Sequence, residues 1–579
     1  MVSLLEFSLR SILLALSFYG YLQVLSKQIR IEIAVSLLLS SIGSLLFVAG
    51  MQNMLQETTF LVFSGGVYLA CRSVRKKESP FALLSPGVCF FFAGSAVLLY
   101  FIYGVKFEVY DDFSHWATAA KVLAQYDRFP NATNTDISFT SYPLGTASFI
   151  YYITKIVGIS SEWIQCYTQN ILILSMILSI FAFVSNVYAL IAAVVISVFM
   201  VVSNAAIVTL CVDTLLTVTA VAAFSFCLYY KEELQKKIWY LLPYAVFLII
   251  IKNSGIIFAV FLYMYVAYCF LKSDVGLKTL FVHMLITVAV LFFWQKHVDL
   301  VYNEGMMGRH SLSLSYSVSV FGEKTQEELL YTIRSVLEST FSLSNRMVYL
   351  IAIGFPVLLV LSYVLKIDTS PIKQVYAFTV VFYLIYQIGL LGMYLFNMPS
   401  FGAWSSVTEP LPSYIRYHDM MVDFAAGLFC ICTFSVMSQF KVHGNLHILQ
   451  ALVAVSAIVV MFYTVNPYLG YYIRYTQPGG DRQKMDTLIE DYHIQKDRRY
   501  FVLISDERND GGYLENLARY LLEPRDMAVC SPDRMEIWLE YNCLKLYDYY
   551  ILYDQTPETV AFFEENFQTS ESVICTSKY

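Results

Sequence analysis

Charged residues are scarce in this sequence. Asp, Glu, Lys and Arg together make up 14% of its 579 residues, whereas 58% are hydrophobic. A soluble domain carries roughly 25% charged residues, so the composition excludes one large soluble globule. Apolar runs of about 20 residues recur along the chain, and each is long enough to cross a lipid bilayer. The sequence therefore predicts an all-α, polytopic membrane protein that is surrounded by lipid.

Several common motifs are missing as well. The eleven cysteines show no CxxC or Cys/His spacing, so the sequence indicates neither a zinc site nor a disulfide scaffold. The C-terminal part carries no GxGxxG or P-loop motif, which leaves nucleotide binding without support. The net charge is −6 and there is no basic cluster, so nucleic acid is not expected as a partner. Leu4 to Leu25 lacks a cleavage site and is expected to be a retained first span.

About fourteen membrane spans are predicted from the hydrophobic runs. They lie near residues 5–26, 31–50, 58–72, 82–104, 164–185, 187–203, 206–230, 238–251, 254–272, 277–294, 347–365, 374–396, 419–439 and 447–467. The hydrophobic stretch 142–157 is interpreted as a re-entrant or interfacial element. The predicted organisation is N-terminal spans (1–104), an external loop (105–160), a bundle (161–469) with external loops 295–346 and 397–418, and a C-terminal domain (470–579).

The distribution of lysine and arginine predicts the orientation of the spans. These residues fall in alternate connections, which are assigned to the cytoplasm because cytoplasmic loops carry an excess of positive charge. The connections lie near residues 27–30, 72–77, 231–237, 272–278, 366–373 and 441. Every long polar segment then lies on the extracytoplasmic face. Large loops on one side favour an enzyme, and no internal repeat of the kind found in many transporters is evident.

The C-terminal segment is predicted to form a small extracytoplasmic α/β domain. Hydrophobic patterning predicts strands at Tyr500–Asp506 and Tyr547–Asp554, and helices at Gly512–Pro524 and Glu558–Phe567. A domain without a recognisable motif favours a role in packing or in docking an acceptor.

An acidic motif follows the fourth predicted span. The sequence DDFSHW places Asp111, Asp112, His115 and Trp116 where the chain leaves the membrane, and an amphipathic run from Trp116 to Tyr126 suits the membrane surface. Two carboxylates at the aqueous mouth of a helical bundle are well placed for acid–base catalysis. The alternative is structural, because aspartates also cap helices and tryptophans also anchor chains at the interface.

Two charged residues interrupt apolar runs on the same predicted face. Asp213 lies in TLCVDTLLTV and Lys252 in LIIIKNSGII. Charge within a membrane is costly, so each is a candidate functional residue. The alternative is that the two pair with each other, or that the lysine extends to the interface.

Two further motifs lie on this face. Arg416 and Tyr417 belong to SYIRYHD, where a guanidinium beside tyrosines suits a phosphate clamp, although it could also be a topological anchor. Tyr142 belongs to a Tyr-Pro-x-Gly turn that precedes an apolar run. Arg309 and His310 are weaker candidates in a solvated loop.

These acids and cations are expected to surround one external cavity at membrane level. The pattern suits a substrate whose lipid tail lies in the bilayer and whose phosphate lies at the surface. An acid would take a proton from an acceptor hydroxyl, and the cations would hold a phosphate leaving group. This describes glycosyl transfer from a polyprenyl-phosphate sugar.

In these motifs the chain resembles bacterial polytopic glycosyltransferases of the GT-C class. It is most similar to Gram-positive membrane proteins with a D-[DE]-F-S-H-W loop, a Y-P-x-G turn and a later S-Y-x-R-Y motif. Here these motifs are Asp111–Trp116, Tyr142–Gly145 and Ser413–Tyr417, and the resemblance covers residues 85–420. At least three spans precede the acidic loop, whereas many members of the class have one.

The resemblance implies a GT-C-like fold and an inverting hexosyltransferase. The donor would be a polyprenyl-phosphate sugar, and the acceptor a cell-envelope glycan or a lipid-linked acceptor. Asp112 would be the base and Asp111 a partner to the acceptor or to a metal, with Mg²⁺ or Mn²⁺ as an open alternative. His115 would orient the acid, and Arg416 and Lys252 would hold the donor phosphate. Asp213, Tyr417, Trp116 and Tyr142 are expected to line the substrate site.

Three other functions remain open. A polysaccharide polymerase or ligase uses lipid-linked substrates too, but its pyrophosphate leaving group calls for more arginines than the outer loops contain. A lipid-linked glycan transporter or flippase would use Asp213 and Lys252 as a coupling pair. A non-catalytic assembly subunit is the third.

Overall fold

The fold is that of a computed structural model. The structure describes residues 3–132, 137, 139–202, 207–271, 277–302, 314–398, 411–439, 446–465, 479–508, 510–532, 546–569 and 571–576. The contacts divide the chain into two compact units. The helical unit comprises residues 1–104 and 119–475, and the tail unit comprises residues 105–118 and 476–579.

The chain is mostly helical up to residue 465. In order, the helices are α1 Leu4–Leu25, α2 Ile31–Met51, α3 Leu55–Arg75, α4 Pro86–Ile102, α5 Ala117–Tyr126, α6 Gly145–Val157, α7 Glu162–Leu178, α8 Val187–Val202, α9 Asp213–Tyr229, α10 Leu234–Lys237, α11 Leu242–Ile251, α12 Gly255–Leu271, α13 Leu277–Val301, α14 Leu314–Gly322, α15 Gln326–Phe341, α16 Arg346–Tyr349, α17 Phe355–Val364, α18 Ser370–Phe396, α19 Tyr414–Gln439 and α20 Leu446–Val465. Thirteen of the fourteen predicted spans each fall on one of these helices, and the span 347–365 covers α16, α17 and the π-helical turn between them.

Eight helical segments of the described chain are long and apolar enough to cross a membrane. They are Leu4–Leu25, Ile31–Met51, Glu162–Phe183, Lys231–Ile251, Leu277–Val301, Gln326–Val364, Ser370–Phe396 and Tyr414–Gln439. Five more predicted spans fall on shorter apolar helices of 10–17 residues. The remaining predicted span, 58–72, falls within α3, which is long enough to cross a membrane but is not apolar enough to be counted among the eight. The prediction of a helical chain with membrane spans is confirmed to this extent, and fourteen crossings stay a prediction.

The central helices of the helical unit differ from the peripheral ones in what they bury. α9 packs against α7, α11, α12 and α19, and most of its side chains are buried. By contrast, α13 exposes large apolar side chains such as Phe281, Leu285 and Phe292. A helix that exposes a broad apolar surface needs an apolar environment. The peripheral helices are therefore suited to contact lipid.

Connections assigned to the cytoplasm contact one another in the helical unit. The contacts are Lys27 Nζ to Glu78 Oε1 (2.6 Å), Arg30 N to Tyr230 OH (2.7 Å), Lys237 Nζ to Gln28 O (2.7 Å) and Lys231 Nζ to Gln374 Oε1 (2.9 Å). Segments assigned to the opposite face also meet, as in the bond from Trp294 Nε1 to Ser141 O (3.0 Å). The grouping of contacts agrees with the alternation of Lys and Arg along the sequence.

The tail unit contains a small, mostly parallel sheet. Its strands are β1 Arg499–Leu503, β2 Asp526–Cys530, β3 Tyr549–Leu552 and β4 Val573–Cys575, in the order β2-β1-β3-β4. β1 is parallel to β2 and β3, and β4 is antiparallel to β3. The helices are α21 Gly480–Asp491, α22 Tyr513–Leu522 and α23 Pro557–Phe567. Phe501, Leu552 and Phe563 form part of the core on one face of the sheet.

The four elements predicted for the C-terminal domain are confirmed, with ends that differ by a few residues. The sequence analysis missed α21, β2 and β4. The contacts place residues 105–118 in the tail unit and 119–160 in the helical unit, and the external loop over 105–160 stays a prediction. The amphipathic helix expected from Trp116 forms as α5 and begins at Ala117. The stretch 142–157 forms α6, which is largely buried against α2 and other helices.

Candidate functional site

The acidic motif adopts an unusual local conformation. Residues Asp112–Trp116 form one π-helical turn, and Asp111 immediately before it forms no capping hydrogen bond with that turn. Asp111 therefore does not cap this turn, and the structural alternative of capping by Asp112 stays a prediction. π-Helical turns are rare and occur frequently at functional sites. Asp112 and His115 are both 0% exposed, whereas Asp111 is partly exposed.

Tail residues hold the segment that precedes and contains this motif. The side chain of Arg482, on α21, is buried. Its Nη1 donates a hydrogen bond to Phe107 O (3.0 Å), and its guanidinium lies 5.9 Å from the centre of the Phe113 ring. Lys106 pairs with Asp486 of the same helix at 2.8 Å. The motif is therefore attached to α21 by both charge and aromatic contact.

Helix α22 holds the same segment from a second side. The Tyr513 hydroxyl donates a hydrogen bond to Glu108 O at 2.9 Å. Tyr513 and Tyr520 pack their rings against Phe113, with centroids 5.7 and 5.2 Å apart. Burial, and then the nearby Glu108 carboxylate, raises the pKa of Tyr513 to about 12, so this hydroxyl keeps its proton at neutral pH. Sequence analysis gave the tail only a packing or docking role and did not foresee these contacts.

A cluster of charged side chains forms inside the helical unit. Lys252 Nζ lies 2.6 Å from Asp213 Oδ1, and Arg416 Nε lies 3.4 Å from Asp213 Oδ2. Asp213 is the first residue of α9, where the exposed N–H groups of the helix favour a negative charge. Lys252 follows the last residue of α11 in an extended conformation. We call Asp213, Lys252 and Arg416 the cation cluster.

Two tyrosines from the predicted motifs lie beside the cation cluster. Lys252 Nζ lies 5.1 Å from the Tyr417 ring centre and 6.0 Å from that of Tyr142. Arg416 Cζ lies 5.2 Å from the Tyr417 ring. Aromatic faces stabilise a cation without neutralising it. Five of the sequence-predicted site residues are thus brought together from four separate stretches of chain.

The members of the cation cluster differ in exposure. The side chains of Lys252 and Asp213 are 7% and 15% exposed, whereas that of Arg416 is 41% exposed. Two cations and one carboxylate give the three residues one net positive charge. The most accessible member is the guanidinium, whose planar fork matches the oxygens of a phosphate. The arrangement can attract an anion to Arg416 while Asp213 holds the buried lysine in place.

A second buried ion pair lies on the same helix as Arg416. Arg346 of α16 pairs with Asp419, and the ring of His418 stacks on Tyr414 with centroids 5.9 Å apart. Sequence analysis did not single out Arg346, Asp419 or His418. A charge within an apolar helix was the available signal, since Asp419 begins a predicted span.

The remaining predictions are only partly addressed by the described residues. Asp111, Asp112, His115 and Trp116 belong to the tail unit, so the expected single cavity with Lys252 and Arg416 stays a prediction. Arg309 and His310 lie outside the described residues.

A metal at the acidic motif stays a prediction. Within the described ranges, no group of three or more His, Cys, Asp or Glu side chains is placed to hold a metal ion. Mg²⁺ keeps several waters and is commonly bound through one or two carboxylates, so Asp111 or Asp112 would be the residues that hold it.

No protein-family model matches the chain, and no curated protein matches its sequence.

Proposed function

We propose that this protein is a membrane glycosyltransferase that moves a sugar from a polyprenyl-phosphate donor to a glycan or lipid-linked acceptor. The observation that carries the proposal is the cation cluster, in which a buried lysine and an accessible arginine share one carboxylate. A charge-assisted, bidentate contact from arginine is well suited to a phosphate. An apolar helical surface suits the polyprenyl chain of the same molecule.

The proposed reaction is a displacement at the anomeric carbon of the donor. The acceptor hydroxyl oxygen forms a bond to C1 of the sugar, and the bond from C1 to the phosphate oxygen breaks. The bonding electrons leave with polyprenyl phosphate, whose charge is stabilised by Arg416 and Lys252. The hydroxyl proton passes to a carboxylate of the acidic motif. No nucleotide is consumed.

Roles within the acidic motif follow from its local structure. Asp112 is the proposed base, and its π-helical turn is held by the tail unit through Phe113. Asp111, which is more exposed, is proposed to contact the acceptor. His115 and Trp116, which stack edge to face with centroids 4.6 Å apart, would support the motif. Tyr142 and Tyr417 would border the donor phosphate.

The proposal extends to the membrane arrangement. We propose fourteen crossings in a GT-C-like fold, with the active site and the tail unit on the extracytoplasmic face. Two observations support this topology. Each predicted span falls on one or two helices, and connections assigned to one face contact one another.

Transfer from defined donors tests the function. The purified full chain in lipid nanodiscs is supplied with polyprenyl-phosphate hexoses and acceptor glycans, and both transferred sugar and released polyprenyl phosphate are measured. Transfer with one equivalent of polyprenyl phosphate released per sugar supports the proposal. Turnover only with polyprenyl-pyrophosphate oligosaccharides would instead identify a polymerase or ligase. No turnover of any polyprenyl-phosphate hexose contradicts the proposal.

A transporter is the second candidate, because a buried Asp–Lys pair is also a suitable coupling pair. In that case the protein would move lipid-linked sugars across proteoliposome membranes without cleaving them, and Asp213→Asn would abolish movement. Movement without sugar transfer would favour the transporter over the glycosyltransferase.

A further inference from the structure

A polar cavity of about 360 Å³ lies in the helical unit, and its lining includes none of the predicted site residues. Three segments form it: the start of α3, the end of α5 with the residues that follow, and the last turns of α13. The residues that matter to its chemistry are Asn53, Gln56, Glu57, Tyr126, Arg128 and His297. Its volume falls in the range of about 300–1,000 Å³ that small-molecule sites occupy.

The wall of this cavity is held in place by an internal network. Asp127 accepts hydrogen bonds from Lys155 Nζ at 2.6 and 2.8 Å, and from the Tyr151 hydroxyl at 2.7 Å. Its φ of +56° lies in the left-handed region, which few residues other than glycine adopt. Both tyrosine and lysine belong to α6. The turn that carries Tyr126 and Arg128 is therefore fixed to a neighbouring helix.

The other side of the wall is fixed to α13. The Phe129 ring packs against Trp294 and His297 of this helix, with centroids 6.2 and 5.8 Å apart. Ala132 N donates a hydrogen bond to Val301 O at 3.2 Å. A pocket with both walls anchored binds a ligand at a lower entropic cost than a mobile loop does.

Four polar side chains of this cavity have hydrogen-bonding groups to offer a ligand. The side chains of Asn53, Gln56, Glu57 and Arg128 form no hydrogen bond or ion pair with any other residue that the structure describes. They offer both hydrogen-bond donors and hydrogen-bond acceptors around the exposed Tyr126 ring. Arg128 Cζ lies 5.9 Å from the centre of that ring.

The charges around the cavity balance. Among the lining side chains Glu57 and Asp127 are negative and Arg128 is positive, and Lys155, outside the lining, neutralises Asp127. A phosphate site would carry an excess of cations, as the cation cluster does. Alternating donors and acceptors beside an aromatic ring instead match the hydroxyl groups and the apolar face of a sugar ring.

We propose that this cavity binds an uncharged saccharide through Glu57, Arg128 and the amides, with Tyr126 stacked on a sugar ring. Its role as the acceptor subsite rests on the proposed function, since a transferase needs a place for the acceptor glycan. Saccharide binding itself does not depend on that function. All three segments belong to the face to which the Lys and Arg pattern assigns the acidic motif.

Saccharide binding can be measured without any donor. The purified full chain in nanodiscs is tested by saturation-transfer NMR with pools of neutral di- and trisaccharides from the gluco, galacto, manno and N-acetylhexosamine series. Oligouronates and inorganic phosphate are the charged comparators. We expect binding of at least one neutral pool. Binding of no neutral saccharide, or tighter binding of the charged comparators, would overturn the proposal.

Substitutions locate the binding in the cavity. Glu57→Gln and Tyr126→Ala should each weaken binding roughly tenfold, the effect of losing one good contact. Glu564→Gln, an exposed carboxylate on α23, should leave binding unchanged. If Tyr126→Ala fails to fold, Arg128→Gln replaces it. Unchanged binding in the folded cavity variants would place the saccharide elsewhere and refute the site.

The same experiment separates this inference from the proposed function. Asp112→Asn should keep saccharide binding and lose sugar transfer. Saccharide binding by a wild-type protein that transfers no sugar would support the cavity and contradict the transferase. Full transfer by a Glu57→Gln variant that no longer binds the saccharide would contradict the assignment as the acceptor subsite.

Discussion

Lys252 and Asp213 form a buried ion pair between the end of one helix and the start of another, with Nζ and Oδ1 2.6 Å apart. Such pairing is the structural alternative to a functional role that the sequence analysis gave for these two residues. However, Arg416 joins the same carboxylate, which a pair that served only packing would not need. The structural and functional roles of the pair can be separated by mutation.

Removing one partner should destabilise the protein, because it leaves a buried charge unpaired. We expect Asp213→Asn to lower the free energy of unfolding by about 3–5 kcal/mol. The double variant Asp213→Leu/Lys252→Met should recover most of that loss, since it removes both charges. Thermal unfolding in nanodiscs measures both effects.

The double variant also distinguishes the two roles of the pair. With Lys252 gone, it should fold but bind the polyprenyl-phosphate donor weakly. A double variant with wild-type stability and wild-type donor affinity would make the pair purely structural.

Arg416 is expected to act on donor binding. Arg416→Ala should raise KM for the donor roughly 10- to 100-fold, because a hydrogen bond to a charged group contributes about 1.5–3 kcal/mol. Arg416→Lys should restore only part of the loss in donor KM, since lysine lacks the bidentate fork of arginine. The control is Arg334→Ala, which removes an exposed arginine paired with Glu338 on α15. An unchanged KM in Arg416→Ala would remove this residue from the proposed donor site.

Arg482 is expected to be a positioning residue for the acidic motif. Its hydrogen bond to Phe107 and its stacking on Phe113 fix the segment that carries Asp112. Arg482→Met should lower kcat at least roughly tenfold, or about 1.4 kcal/mol, and leave KM for the donor nearly unchanged. Arg498→Met, on the exposed surface of the tail unit, is the matched control. An equal fall in kcat in both variants would mean that lost stability of the tail unit alone explains the effect of Arg482→Met.

The tail unit should lose stability in acid. Burial raises the pKa of Asp481, but hydrogen bonds from Arg508 and Tyr553 outweigh that effect and hold the pKa below its ordinary value. Asp554 behaves in the same way because Arg508 and the Ser505 N–H bind its carboxylate. A lowered folded-state pKa adds stability above the unfolded pKa of about 4, and that stability is lost as the pH falls through the folded value.

Hydrogen exchange of tail peptides between pH 6 and pH 3, corrected for intrinsic rates, measures this effect. Protection should fall below about pH 4. Arg508→Met should lower stability already at pH 6 and flatten the pH dependence. Arg525→Met, whose pair with Asp497 is exposed, should change little. A pH profile that Arg508→Met does not alter would refute the role of this cluster.

The sequence allowed the elements with strong hydrophobic patterns to be predicted. The apolar runs mark the helices, and the strands at Tyr500 and Tyr547 are flanked by charged turns. β4 has only three residues, too few for a pattern. β2 is as long as β1, but its sequence DMAVC has no aromatic residue and one β-branched residue, Val529, so its strand signal is weak. α21 is mostly polar: its buried residues are Arg482 and Met485, and Leu488 and Ile489 are half-buried, so no apolar stripe marks it in the sequence.

Members of the candidate site could be predicted one by one, because charge in an apolar run is costly wherever it occurs. Their grouping followed in part from the assignment of faces. The link between Phe107 and Arg482 spans 375 positions and involves a backbone carbonyl, so no local pattern reports it. The pair of Arg346 and Asp419 is missed for the same reason, since its partners are 73 positions apart.

Sugar transfer by variants of the acidic motif tests the central claim most directly. Wild-type protein, Asp111→Asn, Asp112→Asn and the exposed control Asp491→Asn are compared with the same polyprenyl-phosphate hexose and acceptor. We predict that Asp112→Asn lowers kcat roughly 100-fold or more, as the loss of a general base does, while Asp491→Asn retains wild-type activity. Full transfer by both Asp111→Asn and Asp112→Asn would contradict the account.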